Sequence, residues 1–162
     1  MLRLMIFAFT ALILSAGSVL AQKSGTTEGG KTAKLTFSSI DIHNNGYFHL
    51  GDLELFVESV FRGMDHDDDG KITYGEFAAW DPGFLQVAGS EGRPEAYATA
   101  TKILFSLWDL NGNGTINRNE MRRATTYDFT RADLDNDGVL TPAEFKNFSA
   151  ILIFRAAIRP DL

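Results

Sequence analysis

Asp65-His66-Asp67-Asp68-Asp69-Gly70-Lys71-Ile72-Thr73-Tyr74-Gly75-Glu76 is the stretch whose reading decides the fold. Its acidic side chains at the first, third and fifth places alternate along the chain, which gathers Asp65, Asp67 and Asp69 around one point. Gly70, at the sixth place, permits a sharp bend with positive φ that brings the later residues back toward that point. Glu76 ends the segment with a longer carboxylate. Hard oxygens in that number suit Ca²⁺ better than a transition metal, which prefers nitrogen or sulfur donors. A single acidic run of this kind is also compatible with a solvated surface turn.

Recurrence separates the two readings. Asp109-Leu110-Asn111-Gly112-Asn113-Gly114-Thr115-Ile116-Asn117-Arg118-Asn119-Glu120 fits the same pattern, and so does Asp133-Leu134-Asp135-Asn136-Asp137-Gly138-Val139-Leu140-Thr141-Pro142-Ala143-Glu144. Together the three segments resemble the EF-hand superfamily, in particular its small exported bacterial members, over the chain from about Thr32 onward. The resemblance implies an all-α domain of helix-loop-helix repeats over residues 32–162, with short β contacts between paired loops. It also implies Ca²⁺ as the bound ion, with a ligand set in each loop. In loop two the set is Asp65, Asp67, Asp69, the Lys71 carbonyl, Thr73 and Glu76. In loop three it is Asp109, Asn111, Asn113, the Thr115 carbonyl, Asn117 and Glu120. In loop four it is Asp133, Asp135, Asp137, the Val139 carbonyl, Thr141 and Glu144. The seventh place offers only its backbone, so the Lys71 charge is free to face water. The twelfth-place glutamate closes the shell with both oxygens.

A further loop, residues 41–52, is damaged. It keeps Asp41, Asn45 and Gly46 but has His43 at the third place and Asp52 at the twelfth. Imidazole is a poor ligand for a hard cation, and aspartate is one methylene shorter than glutamate. This loop one is expected to be weak or empty and to serve as a structural partner. Loops two and four bring four carboxylates each, whereas loop three brings only Asp109 and Glu120, so loop three is expected to bind more weakly.

The flanks repeat as well. Four residues before each loop stand Phe37, Phe61, Phe105 and Phe129, and at the eighth place stand Phe48, Ile72, Ile116 and Leu140. These side chains read as core. Loops one and two begin at Asp41 and Asp65, and loops three and four at Asp109 and Asp133, so each pair starts 24 residues apart. That leaves little room for two separate helices and a turn. Leu53, Phe56, Val57, Val60, Phe61 and Met64 share one face at helical spacing, which predicts a single helix over Asp52–Met64 and another over Arg118–Ala132. A shared helix places its two loops roughly 20 Å apart. Loop two should therefore pair with loop three and loop one with loop four, the alternative being sequential pairs joined by very short helices. Asp81-Pro82-Gly83 stops the helix begun near Tyr74, Phe84 to Arg93 reads as an irregular connection, and a helix starts at Pro94. The apolar tail from Phe145 to Ile158 reads as one helix sunk in a groove between the pairs.

Met1–Ala21 differs from the rest. Arg3, an apolar run from Leu4 to Leu14 and Val19-Leu20-Ala21 predict a secretory signal peptide cleaved after Ala21, followed by a flexible linker over 22–31. The expected location is the periplasm or the exterior. Without Arg3 the balance is fourteen basic to twenty-one acidic residues, which argues against nucleic acid. The chain has no cysteine, and its three histidines, His43, His49 and His66, all lie in loops, so the expectation is a non-enzymatic protein. Two roles follow: a calcium buffer or calcium-stabilised module, or a sensor that exposes an apolar groove to a protein partner.

Overall fold

The computed structural model describes residues 28–158, so the expected signal peptide lies outside the described residues. Helix α1 (Glu28–Ile40) leads into loop one, β1 (Phe48–His49) closes it, and α2 (Leu50–Met64) runs on into loop two. Strand β2 (Lys71–Thr73), α3 (Tyr74–Ala79) and α4 (Phe84–Ser90) follow. The second half repeats the scheme with α5 (Pro94–Trp108), β3 (Thr115–Asn117), α6 (Arg118–Ala132), β4 (Val139–Leu140), α7 (Pro142–Phe145) and α8 (Ser149–Ile158). Both shared helices are present, each leaving one loop and entering the next. The linker expected over 22–31 is already helical at its end, because α1 starts at Glu28.

The pairing follows from those helices. β2 lies antiparallel to β3, with Ile72 opposite Ile116, and β1 lies antiparallel to β4, with Phe48 opposite Leu140. All four of these eighth-place side chains are 0% exposed. Each loop pair thus seals one apolar contact at its back, and α2 packs along α6 to join the pairs. The four phenylalanines that precede the loops are buried with them, and Phe37, Phe48 and Phe145 meet in tilted and edge-on contacts.

Two expectations are corrected. The stretch from Phe84, expected to be irregular, forms α4, because the Asp81 carboxylate accepts the Gly83 and Leu85 N–H groups at 2.9 and 3.1 Å and so satisfies free donors at the helix start. Phe84 and Val87 are buried, while Leu85 is exposed. The tail is not one helix but two, broken at Lys146–Phe148. Buried Asp128 of α6 accepts the Ser149 hydroxyl at 2.7 Å and pairs with Arg131, which in turn donates to the Asn147 carbonyl and the Ser149 hydroxyl. That polar knot holds the break open and starts α8 afresh.

α8 then packs on α5, α4 and α1. Its Phe154 ring stacks with both Phe84 and Tyr97, each at 5.2 Å between centroids. Ile151 and Phe154 line an apolar cavity of about 90 Å³ that Met64 and Met121 also reach. Burial, with Asp81 beside it, pushes the Tyr97 phenol well above its ordinary range. No helix among the described residues is long and apolar enough to cross a membrane.

Candidate metal centre

Each loop is shaped by hydrogen bonds from its own backbone to its first acidic residue. Asp41 accepts the Asn45 and Gly46 N–H groups, Asp109 those of Asn113 and Gly114, and Asp133 those of Asp137 and Gly138. In loop two Asp65 accepts the Gly70 N–H at 3.1 Å. The sixth-place glycines Gly46, Gly70, Gly114 and Gly138 have φ between +80° and +84°, where a side chain would be strained. The fourth place is left-handed too, held by Asn44, Asp68 and Asn136 and by Gly112 in loop three. Asn and Asp tolerate that conformation best among residues with side chains.

The ninth and twelfth places serve two purposes. Thr73, Asn117 and Thr141 are the N-caps of α3, α6 and α7, and Glu76, Glu120 and Glu144 stand three residues on in reciprocal capping boxes. The same carboxylates reach back to the start of their loops. Glu76 accepts the His66 N–H at 3.0 Å, Glu120 that of Asn111 at 3.2 Å and Glu144 that of Leu134 at 3.1 Å. Loop one departs here. Asp52 accepts the His49 N–H just as the glutamates accept their ninth-place N–H groups, but the Ile42 N–H turns to the Ile40 carbonyl, and Asp52 lies 3.8 Å from His43 and 3.7 Å from His49. Its backbone keeps the loop form, but its shorter twelfth-place carboxylate does not tie the loop shut.

These hydrogen bonds set the charge state. The backbone N–H and hydroxyl of Thr73, with the His66 N–H, hold the Glu76 carboxyl below the ordinary range. The backbone N–H and hydroxyl of Thr141 do the same for Glu144, with the N–H groups of Leu134 and Asp135 adding to them. Both carboxylates are therefore ready as anionic donors.

Carboxylate oxygens of Asp65, Asp67 and Glu76 lie within 4.8 Å of one another, and so do those of Asp133, Asp135 and Asp137. Asp69 stays outside the first group and accepts the Lys71 N–H, while Glu144 stays outside the second, held by Thr141 and Leu134. In loop three the amide oxygens of Asn111 and Asn113 take up the backbone N–H groups that Asp67 and Asp69 take up in loop two. Lys71 is exposed, and Thr115 and Val139 at the same seventh place are half-buried.

One oxygen tests whether these residues fit a cation. Asp65 is only 3% exposed, and its Oδ1 is buried with no hydrogen-bond donor among the described residues, although Oδ2 is satisfied. A carboxylate oxygen held from water with no donor is destabilising unless a cation completes it. The donor set is all oxygen, which matches Ca²⁺. One residue of the site escaped sequence reasoning. Arg118, at the tenth place of loop three, reaches loop two, and nothing in the linear pattern marks it.

The EF hand family model matches residues 56–79, 101–124 and 126–149, which contain loops two, three and four in full, while loop one lies outside the matched segments. The chain belongs to the EF-hand superfamily, and Ca²⁺ is the ion of its loops.

Proposed function

We propose, from this membership, that the protein is an exported, non-enzymatic calcium-binding module whose ions chiefly stabilise its fold and buffer calcium. Loop two would hold its ion through Asp65, Asp67, Asp69, the Lys71 carbonyl, Thr73 and Glu76. Loop three would use Asp109, Asn111, Asn113, the Thr115 carbonyl, Asn117 and Glu120. Loop four would use Asp133, Asp135, Asp137, the Val139 carbonyl, Thr141 and Glu144. The observation that carries this reading is the buried, donor-less Oδ1 of Asp65 beside Asp67 and Glu76. Calcium discharges such clusters and, by binding the folded form alone, raises its stability by mass action.

Export is supported by the Met1–Ala21 pattern, and calcium outside the cytosol suits sites with dissociation constants of roughly 10⁻⁴–10⁻³ M. A stabilising role is favoured over a sensor's because the apolar groove is filled by the chain's own α8, with Phe154 stacked against Phe84 and Tyr97. Thermal unfolding with calcium or with chelator, read beside a hydrophobic dye, tests this. The expected result is a higher Tm with calcium and no gain in dye fluorescence. A rise in dye fluorescence on adding calcium would instead establish the sensor.

A further inference from the structure

Loops two and four carry the same carboxylates at the first, third, fifth and twelfth places. Within the loops Asp68 and Lys71 replace Asn136 and Val139, two opposite charges, and outside them one cation reaches Asp65 of loop two. Arg118, the residue after β3, extends across the paired strands to loop two. Its guanidinium carbon is 4.5 Å from the Phe61 ring centroid, its Nε is 3.5 Å from Glu58 Oε1, and its Nη2 is 3.9 Å from Asp65 Oδ2. Its Nη1 is 3.6 Å from where a Cβ on Gly70 would stand. The internal repeat explains this placement. Tyr74, at the same tenth place in loop two, packs edge-on against Phe105, the loop-three counterpart of Phe61, at 5.4 Å. In the other loop pair the tenth places are Leu50 and Pro142, which bring no charge. One structural position, set by the fold, thus carries a cation beside loop two and an apolar residue beside loop four.

We propose that Arg118 is a tethered counter-charge that holds the calcium affinity of loop two below that of loop four. This rests on the calcium reading above. In the ion-free loop the guanidinium offsets the charge of Asp65. A dication entering that loop meets the same guanidinium as a repulsion, and must outcompete it. Phe61 and Glu58 keep the group in place, so it does not simply swing into solvent. At 3.9 Å the contact with Asp65 is an ion pair, not a hydrogen bond, and its effect acts through space. Arg118 is 48% exposed, so screening reduces the effect to about threefold to tenfold in affinity.

The test is a calcium titration of isotopically labelled protein, in which the amide signals of Gly70 and Gly138 report loops two and four separately. Arg118→Met keeps an apolar stem on Phe61 without the charge, and Arg118→Lys keeps the charge. The expected parent midpoint for Gly70 lies about threefold to tenfold above that for Gly138. Arg118→Met should lower the Gly70 midpoint by about threefold to tenfold without moving that of Gly138, and Arg118→Lys should resemble the parent. In the parent alone, added potassium chloride should narrow the gap between the two midpoints, because screening weakens the repulsion. A Gly70 midpoint unchanged in Arg118→Met, a fall of equal size in Arg118→Lys, or a gap indifferent to salt would overturn the proposal. If neither glycine responds up to about 10 mM calcium, it is the calcium reading itself that fails.

Discussion

Thr73 and Glu76 hold each other. Glu76 Oε2 accepts the Thr73 backbone N–H and its hydroxyl, both at 2.8 Å, while the Glu76 N–H donates to Thr73 Oγ1 at 3.3 Å. The start of α3 and the closing ligand of loop two are one constellation, repeated by Thr141 and Glu144 at α7. Building the helix start positions the metal donor before any ion arrives.

Thr73→Ala should therefore act twice. Loss of the cap should lower the stability of the metal-free protein by about 1 kcal/mol in urea unfolding. It should also weaken calcium at loop two, since Glu76 loses the hydroxyl that helps orient it and keeps only backbone N–H donors. Thr73→Ser, which keeps the hydroxyl, should restore most of both.

Acid should reveal the same bonds. Glu76 and Glu144 ionise more easily in the fold than in the unfolded chain, so each favours the fold above a pH of about 4.5, the ordinary glutamate value. That contribution disappears as pH falls through the lower folded values. Urea midpoints of metal-free protein should thus decline below about pH 4.5, and the Glu76→Gln, Glu144→Gln double variant should show a shallower decline.

Ile72 and Ile116 face each other in the β2–β3 pair, both fully buried. Ile116→Ala should destabilise the protein by about 2–5 kcal/mol, since the contact leaves a cavity between two strands. Because those strands are shared, calcium should weaken at loops two and three together and hold at loop four, read from the Gly70, Gly114 and Gly138 amides.

Phe154→Ala removes the ring stacked against Phe84 and Tyr97. Its expected cost is about 3–5 kcal/mol, measured in urea. Calcium midpoints at the loops should stay put, because α8 contributes no ligand.

Much of this was legible in the sequence because the repeat constrains it heavily. The distance from Asp41 to Asp65 favours a shared helix over two very short ones. A shared helix separates its own two loops and so calls for crossed pairing, which Ile72–Ile116 and Phe48–Leu140 display. What stayed hidden depends on contacts between remote residues. Asp81-Pro82-Gly83 reads as a stop for α3, and only the fold shows Asp81 also supplying the start of α4. The apolar run of the tail continues past Phe148, so its break comes from Asp128 and Arg131 on another helix. Ser149, a residue type favoured at helix starts, was the one local hint. Arg118 looks like a solvated charge until the strands pair and carry it to Asp65.

The central claim is that the oxygens of loops two, three and four each hold a calcium ion. Calorimetric titration of the protein, stripped of metal, against its Glu76→Gln, Glu120→Gln, Glu144→Gln triple variant tests it most directly. The account predicts uptake of one ion per matched loop at concentrations up to about 1 mM, lost or greatly weakened in the variant. No heat of binding in the parent, or the same isotherm from both proteins, would contradict it.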